Sequence, residues 1–475
     1  MNRVIAPTVR VVWQKRESFV VMERPNAVLF FILIHVPIAL LMYHMSSVAT
    51  FHAIATLIVG LAWAVSKRKT MLDVACMGAY IMGAEVLWRM TEANVFWEYG
   101  KYATAAVFLV ALLSRKQTNK PALAFIYFLL LLPSAVFTAT SLPLNQARMA
   151  ISFNLSGPFS LMVCSWFFAN LELTREDLHR LWRTALGPMI GIASIALYST
   201  LTASEIHFTD ESNFTTSGGF GPNQVASALG LGALFALLYL LTEEKHKCLK
   251  ATMFALMLFL ASQSALTFSR GGVWIAAISG LVVFLYLIRD KRTRFRVLSV
   301  AGLLFVVGQY VVIPQLDAFT GGALSERFRN LSPTNRERFV RADLAIFAEH
   351  PFLGVGPGMA FFHRGMIIGV RSSAHTEITR LLAEHGMFGL MALLLLLIMG
   401  WQNFQRGHSV QSRAIVAGMV VWSLVYMLGN AMRTVSPSFC FGLSFAKFNW
   451  EESDLSKGRV NAQPKISDVN SVHIS

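Results

Sequence analysis

The chain has 475 residues, of which 55% are hydrophobic and only 14% are charged. This composition excludes an ordinary soluble enzyme of several domains and indicates an integral membrane protein. Lysine and arginine number 41 against 26 aspartates and glutamates, a formal charge of +15. The basic residues cluster in short loops between apolar segments, so membrane topology explains the charge and nucleic-acid binding is not predicted.

Apolar runs long enough to cross a bilayer, which takes about 20 residues, follow one another along most of the chain. They lie at 27–43, 48–65, 71–88, 95–113, 122–139, 158–171, 184–202, 224–241, 251–268, 273–288, 297–313, 387–401 and 414–432. Basic residues follow every second run. We therefore predict an all-α polytopic bundle of about 12 to 14 transmembrane helices with the amino terminus inside. A last apolar run, 439–445, is too short to assign.

The same alternation divides the chain into five parts. We predict a cytoplasmic leader, transmembrane helices with short loops, a large helical outside loop, carboxy-terminal transmembrane helices and a polar tail. Their ranges are 1–26, 27–313, 314–386, 387–447 and 448–475. The leader is basic and no small-residue cleavage pattern follows the first run, so we expect that run to be retained as a helix. In a bacterium, the outside loop would lie in the periplasm.

The large outside loop carries its own helix and turn signals. Thr334–Glu337 has the spacing of a capping box, which predicts a helix from there to Pro351. The glycines in 354–358 predict a loop. Ser372–Ser373 can cap a second helix with His375 in its first turn. The arginines of the first helix and this histidine are therefore predicted to face one small space.

Basic residues in an outside loop run against the positive-inside rule and need a reason. The basic side chains of 314–386 are all arginines. Guanidinium binds phosphate through two parallel hydrogen bonds and stays charged, so this choice favours a pyrophosphate-bearing ligand. We predict that Arg338, Arg341 and Arg371 bind substrate. The alternative is that nearby carboxylates pair with these arginines as solvated surface charge.

Two further outside loops are rich in glycine. Ser269–Gly272 places Arg270 at a membrane boundary, where glycines let backbone amides approach a ligand. The loop 217–224 opens another span, and its last residues, Asn223 and Gln224, are predicted to bind substrate beside free helix amides. The alternative for this loop is a glycine-rich turn needed only for tight packing.

His375 is the predicted proton-transfer residue, because imidazole titrates near neutral pH and a helix amino terminus disfavours its cation. His350, His363 and His385 serve as the comparison, since a lone histidine is more often structural. No HExxH, CxxC or carboxylate triad occurs, so neither a catalytic metal nor a cofactor is predicted. A GxSxG elbow is also absent, and the four cysteines are scattered without paired spacing.

Several charged residues lie in or beside the early spans. Glu85 and Arg89 are four apart on one helix face and can neutralise each other, which predicts a structural pair. Glu98 and Lys101 can line a cavity, and Arg148 lies in an outside loop. No function is assigned to these three.

Four segments together resemble the O-antigen ligase and polysaccharide polymerase superfamily of bacterial inner-membrane proteins. They are GGFGPNQ (218–224), FSRGG (268–272), NRERFVRADLAIFAEHPFLGVGPG (335–358) and AHTEITRLLAEHGMFGL (374–390). Each motif alone is weak evidence. Their order, and their predicted placement on one side of the membrane, make the combination specific.

The resemblance implies a GT-C-like bundle that catalyses a metal-independent, inverting glycosyl transfer on the periplasmic face. The implied donor is a glycan carried on undecaprenyl pyrophosphate. In this resemblance, Arg270 and Arg336 hold the pyrophosphate and stabilise charge as the anomeric bond breaks. His375 accepts the proton of the attacking hydroxyl, and Glu384 belongs to the substrate site.

Two enzymes with the same donor and different acceptors fit the resemblance. A polymerase extends one lipid-linked repeat with another, whereas a ligase transfers the finished glycan to lipid A core. The segment SFNLSGPFSLMVCSWFF (152–168), preceded by Arg148, is more similar to exopolysaccharide polymerases and favours a polymerase of exopolysaccharide or O-antigen repeats. A chain-length regulator and a flippase are the expected protein partners.

The non-enzyme alternative is a transporter or flippase for the same lipid-linked sugars. Such a protein would carry ionisable residues deep within its spans, along a path through the bilayer. This sequence instead concentrates them in the outside loops.

Overall fold

The computed structural model describes residues 25–115, 117–243, 246–330 and 336–449. The chain is an all-α polytopic membrane protein. Within the described residues, twelve helical spans are long and apolar enough to cross a membrane, in agreement with the predicted 12 to 14. The predicted leader up to residue 24, the tail from 450 and the Thr334–Asn335 half of the capping box lie outside these residues.

The elements differ widely in length. The helices are α1 (Pro25–His44), α2 (Ser46–Val65), α3 (Met71–Met90), α4 (Tyr99–Ser114), α5 (Ala122–Leu130), α6 (Ala135–Ser141), α7 (Leu144–Phe168), α8 (Arg175–Thr202), α9 (Pro222–Thr242), α10 (Lys247–Leu266), α11 (Arg270–Leu287), α12 (Lys291–Val307), α13 (Ile313–Thr320), α14 (Ala323–Arg329), α15 (Arg336–Glu349), α16 (Ala360–Ile368), α17 (Glu377–Arg406), α18 (Val410–Gly429) and α19 (Ser436–Leu443). A 3₁₀ turn, Thr215–Ser217, precedes α9, and a π-helical segment, Gly308–Val312, joins α12 to α13. Two short strands, β1 (Glu172–Thr174) and β2 (Lys447–Asn449), pair in parallel.

Three of the predicted spans differ from the helices that form. The run 95–113 yields α4, which has only 16 residues. The run 122–139 is divided into α5 and α6 near Pro133, whose nitrogen cannot donate a hydrogen bond. The run 158–171 is the second half of α7, which carries Pro158 inside the helix. The short run 439–445 overlaps α19, whose eight residues are all buried within the bundle.

The loops between helices alternate between two ends of the bundle. At one end, called the site end below, Arg89 of α3 binds the Gln224 side chain of α9 and the backbone of Arg433 after α18. At the opposite end, Arg115 after α4 donates to the Ser66 carbonyl between α2 and α3, and β1 pairs with β2. The four sequence motifs all lie at the site end.

Helix α9 forms the centre of the bundle. It is apolar all round, and its entire membrane-spanning window is buried, because α8, α10 and α11 pack around it. By contrast, only 6% of the most apolar 18-residue stretch of the span Lys291–Thr320 is buried. This span therefore presents most of its apolar surface outward, as a lipid-facing helix does.

Helix α17 is broken at Gly386, where φ is 60° and ψ is −136°. A Cβ at this position would lie 2.6 Å from the carbonyl carbon and oxygen of Phe352, so only glycine fits. The break lets the glycine loop after α15 dock on α17, and the Gly356 amide donates to the Glu384 carbonyl at 2.9 Å. Helix α15 ends just before Pro351, as predicted, and the docked loop fixes its position.

Candidate active site

The two glycine-rich motifs meet where α9 and α11 begin. The Ser269 hydroxyl donates to the Asn223 side chain at 2.7 Å. A Cβ on Gly272 would lie 2.3 Å from the Ala226 carbonyl carbon, so Gly272 allows the two helices to touch. Tight packing therefore accounts for this glycine, and Arg270 begins α11 at the same junction.

Three arginines at the site end are close enough for their charges to act on one another. Arg270, Arg327 and Arg336 are called the cationic cluster below. Burial and the charge of Arg270 lower the pKa of Arg336. Burial lowers the pKa of Arg327, and the charges of both other arginines lower it further. Like charges held together in this way favour the binding of a multiply charged anion.

The hydrogen bonds recorded for two members of the cluster go to backbone carbonyls. Arg336 donates through Nη1 to Gly429 at 3.1 Å, and Arg327 donates through Nε to Phe268 at 3.2 Å. The Nη1 group of Arg327 is buried and has no hydrogen-bond partner among the described residues. An unpartnered buried donor is unfavourable, so this nitrogen favours an incoming acceptor such as a phosphate oxygen.

His375 is half-buried and surrounded by positive charge. Its pKa is lowered by burial and then by the charges of Arg336, Arg433 and Arg364, while Asp343 has a smaller opposite effect. The imidazole is therefore neutral near pH 7 and can accept a proton.

The helix that was predicted to begin at Ser372–Ser373 begins later. Thr376 is the cap of α17 and accepts a hydrogen bond from the Thr379 amide, so the predicted cap is wrong. His375 lies immediately before Thr376, with its ring 4.8 Å from the ring of Phe339. Burial and the arginine charges, rather than a position in the first helical turn, account for the lowered pKa.

Arg433, between α18 and α19, is absent from the sequence-based site. Its Nη2 donates to the Ala374 carbonyl at 3.0 Å, directly before His375. The positive-inside rule, which drew attention to the arginines of the large outside loop, could also have identified Arg433. Arg433 follows the outward end of the predicted span 414–432, where the positive-inside rule disfavours a basic residue.

The backbone around Arg433 is fixed by charged side chains from other helices. The segment 429–435 binds four of them at distances of 2.6–3.3 Å; they are Glu85, Arg89, Lys101 and Glu377. Glu85 and Arg89 also pair with each other at 2.7 Å, which confirms the predicted structural pair. Because α3, α4 and α17 all bind this segment, its backbone is positioned independently of any ligand.

Two predicted substrate-binding residues lie at the start of α9. Asn223 accepts from Ser269 at the junction with α11. Gln224 accepts a hydrogen bond from Arg89 at 2.6 Å, so its side-chain oxygen is engaged in joining α9 to α3. The structure therefore brings Asn223 to the junction where Arg270 begins α11, while Gln224 has a clear packing role.

Three other predicted substrate-binding arginines lie away from the cationic cluster. Exposed Arg338 donates to the Ile368 carbonyl at 2.5 Å, and exposed Arg341 pairs with Glu337 at 3.4 Å. Both line a separate depression of about 510 Å³. The prediction that the arginines of α15 face one space is wrong. Arg338 and Arg341 lie two and five positions after Arg336, and at 3.6 residues per turn both point to the opposite side of the helix from Arg336.

Arg371, also exposed, lies with its guanidinium 5.8 Å from the centre of the Phe362 ring. The structure does not bring this side chain together with His375.

Glu384 belongs to a group of buried ion pairs on and around α17. Arg380 binds Glu384 at 2.6 Å and also binds Glu377. Arg364 binds Asp343 at 2.6 Å. These five residues are called the buried network below. Each is almost fully enclosed. The hydroxyl of Thr379 on α17 also donates to Asp343 of α15, so the network holds α15, α16 and α17 together.

A cavity of about 930 Å³ opens beside the segment that carries His375. Ala374 and Arg433 line it, together with aromatic residues such as Phe96 and Trp97. The cationic cluster lies outside this lining. The cavity and the cluster are therefore two separate regions, and His375 follows directly on the residue that borders the cavity.

Comparison with known proteins gives one family match. Residues 252–394 match the family model described as O-Antigen ligase. This match supports the resemblance of the chain to the O-antigen ligase and polysaccharide polymerase superfamily. The matched region contains Arg270, Arg336 and His375, as well as three of the four sequence motifs. No curated protein matches the chain.

The match to this family supports a ligase-type or polymerase-type enzyme that acts on lipid-linked glycans in a membrane. The arrangement at the site end suits such a substrate, because it combines clustered guanidinium groups with a neutral imidazole. No group of three or more His, Cys, Asp or Glu side chains arranged to hold a metal occurs in the described part of the chain.

Proposed function

We propose that this protein is a periplasmic-face glycosyltransferase that polymerises oligosaccharide repeats carried on undecaprenyl pyrophosphate. The proposal is supported by the gathering of three arginines at the site end, one with an unpartnered buried donor, and by His375, whose pKa is lowered by burial and then by the charge of Arg336. A diphosphate requires clustered cations, and an attacking hydroxyl requires a base within hydrogen-bonding distance. The site end supplies both.

In the proposed reaction, a hydroxyl of the acceptor sugar attacks the anomeric carbon of the donor sugar. His375 takes the hydroxyl proton as the new carbon–oxygen bond forms. The bond from the anomeric carbon to the pyrophosphate oxygen breaks, and its electron pair remains on the leaving pyrophosphate. Attack from the side opposite the leaving group inverts the anomeric configuration.

The cationic cluster stabilises the departing pyrophosphate. Arg270 and Arg336 bind the negative charge that grows as the anomeric bond breaks, which lowers the barrier. The unpartnered Nη1 of Arg327 adds a donor. Because three guanidinium groups supply the positive charge, we propose that the transfer requires no metal ion.

The proposed location of the site end is the periplasmic face of the bacterial inner membrane. The distribution of basic residues supports this orientation, since loops at the opposite end carry runs such as Lys67–Lys69 and Arg289–Arg292. Cysteines introduced at exposed Arg329 and exposed Lys67 test it. A membrane-impermeant thiol reagent should label the first and not the second in intact cells, and the reverse pattern would contradict the orientation.

The acceptor is proposed to be a second lipid-linked repeat. The resemblance of segment 152–168 to exopolysaccharide polymerases supports this choice. A ligase that transfers glycan to lipid A core is the second candidate, because the matching family model is described as O-Antigen ligase. Blotting a deletion strain separates the two: single-repeat products indicate a lost polymerase, and long unattached chains indicate a lost ligase.

The direct test is the product formed by purified protein from its lipid-linked repeat. We expect glycosidic products from the wild type, and His375→Ala should lower turnover by roughly 10²–10⁴-fold without lowering abundance, because it removes the base. His350→Ala, at an exposed histidine after α15, is the matched control and should retain turnover. Normal output from His375→Ala would contradict the role. Lipid movement across a bilayer without new glycosidic bonds would indicate a flippase instead.

A further inference from the structure

Two arginines act on His375 from different surroundings. Arg336 belongs to the cationic cluster, and the charge of Arg270 acts on it. Arg433 lines the large cavity, and the charges of Arg89 and Arg364 act on it. Both Arg336 and Arg433 act on His375. The imidazole is thus affected by one arginine of the cluster and by one arginine of the cavity wall, and it directly follows Ala374, which lines the cavity.

The guanidinium of Arg433 has donors available for a ligand. An arginine carries five N–H donors, and the structure records one hydrogen bond from this side chain among the described residues, to Ala374. The backbone of Arg433 is held separately, through its carbonyl, by Arg89 at 3.0 Å. The side chain is therefore not required to fix its own segment and can serve the cavity.

The cavity has the size and lining of a carbohydrate site. Its volume of about 930 Å³ lies within the range of about 300–1,000 Å³ that small-ligand pockets occupy. Exposed Phe96 and Trp97 offer aromatic faces to the C–H faces of sugar rings. Glu98 and Gln146 on the same walls offer polar atoms to hydroxyl groups.

We propose that this cavity binds the acceptor oligosaccharide and that Arg433 contacts the acceptor sugar beside His375. This inference rests on the proposed function and deepens it, because it separates the acceptor from the donor. The cationic cluster then holds the donor diphosphate alone. His375 lies between the two and receives the proton of the hydroxyl that Arg433 helps to orient.

Binding of two separate probes to the purified full chain tests the assignment. One probe is the lipid-free oligosaccharide repeat released from the strain's own lipid-linked pool, and the other is undecaprenyl pyrophosphate without sugar. Arg433→Gln should weaken binding of the oligosaccharide about 10-fold or more, because it loses a charged hydrogen-bond donor. It should leave undecaprenyl pyrophosphate binding within about 2-fold, and Arg336→Gln should do the reverse.

The binding outcomes separate this inference from the proposed function. Unchanged oligosaccharide binding by Arg433→Gln, or equal loss of both probes at wild-type stability, would overturn the role of Arg433. A wild type that binds the diphosphate lipid but no oligosaccharide would overturn the acceptor cavity. If the wild type binds the oligosaccharide but not undecaprenyl pyrophosphate, the acceptor cavity is supported and the donor named under the proposed function is contradicted.

Two controls exclude a merely structural effect. Arg329→Gln removes an exposed arginine at the same end of the bundle and should bind both probes like the wild type. Phe361→Ala alters the cavity wall on α16, away from Ala374, and should weaken oligosaccharide binding alone. If Arg433→Gln fails to fold, normal oligosaccharide binding by Phe361→Ala would overturn the acceptor cavity.

The pH dependence of turnover distinguishes an electrostatic role of Arg433 from a purely structural one. Loosened packing would lower turnover without shifting the pH at which activity is lost. The groups whose charges act on His375 are Arg336 and Asp343 of α15, Arg364 of α16 and Arg433. Removing the charge of Arg433 should raise the pKa of His375, so the loss of activity on acidification should occur at higher pH in Arg433→Gln. Arg433→Lys, which keeps the charge, should retain the wild-type midpoint, and equal midpoints in all three proteins would contradict contact with the reaction centre.

Discussion

The site end contains two regions that both bury arginine but in opposite ways. In the buried network, Arg380 lies between Glu377 and Glu384, and Arg364 binds Asp343. In the cationic cluster, the recorded hydrogen bonds of Arg327 and Arg336 go to backbone carbonyls. The first region pairs each arginine with a carboxylate, although Nη2 of Arg364 has no hydrogen-bond partner among the described residues. The second brings like charges together, with Asp210 and Glu211 acting on Arg327 in the opposite direction.

The difference suggests different roles for arginines that share the same residue type and the same end of the bundle. Taking a charge out of water is costly, and a close carboxylate repays that cost, so a paired buried arginine fixes the fold. The pKa values of Arg327 and Arg336 are lowered by burial and by the charge of Arg270, which favours the binding of an anion at these two side chains. An arriving diphosphate would supply such an interaction. Glu384 is held by its pair with Arg380 and also lines the large cavity, so its predicted role in substrate binding stays a prediction.

Breaking the buried network should have the largest effect. Glu377→Gln removes a charge that binds Arg380 and the Met432 amide, and losing one partner of a buried pair costs about 3–5 kcal/mol. We expect low abundance and a large drop in the thermal unfolding temperature of detergent-purified protein. Glu337→Gln is the matched control, because its exposed pair with Arg341 should contribute little. Equal unfolding temperatures for the two variants would remove the distinction between the regions.

Changing the cationic cluster should affect turnover and leave stability intact. Arg336→Lys keeps the positive charge but loses the planar fork that binds phosphate through two hydrogen bonds. One charged hydrogen bond is worth about 1.5–3 kcal/mol, so turnover should fall roughly 10–100-fold. The measurement is product formation by protein with wild-type abundance. Wild-type turnover in Arg336→Lys would show that the cluster acts only as a point charge or not at all.

The cluster should also set the pH at which His375 works. Burial and nearby arginines lower the pKa of His375 below its ordinary value of 6.5. The neutral base is needed, so turnover should hold as pH falls to 6.5 and decline only as pH passes through the lowered pKa. Arg336→Gln, although slow, should show that decline at higher pH. A wild-type midpoint above 6.5 would contradict the surroundings assigned to His375.

Sequence signals found the parts of the site that depend on local chemistry. Pro351 ends α15, and the following glycines take positive φ at Gly354, Gly356 and Gly358, because these constraints act within a few residues. The break at Gly386 could not be read in this way. Its neighbours are helical on both sides, and the cause of the break is the approach of Phe352 from another segment.

Arg433 shows a second limit of predicting the site from the sequence. It lies 58 positions after His375 in the chain, and only the packing of α3, α4 and α17 around segment 429–435 brings the two together. The positive-inside rule marks such an arginine as unusual but does not say which loop it joins. Long-range contacts made by buried charges decide that, and they are invisible in local spacing.

The smallest effect on turnover should come from changes on the face of α15 opposite Arg336. Arg341→Gln removes an exposed charge that pairs with Glu337, and an exposed pair contributes at most about 1 kcal/mol. Turnover and the binding of undecaprenyl pyrophosphate should stay within about 2-fold of wild type, because this face is turned away from Arg336. The comparison is made at low salt, where long-range attraction is strongest. A larger loss would mean that the glycan or its diphosphate extends over α15, and the boundary of the cationic cluster would have to be moved outward.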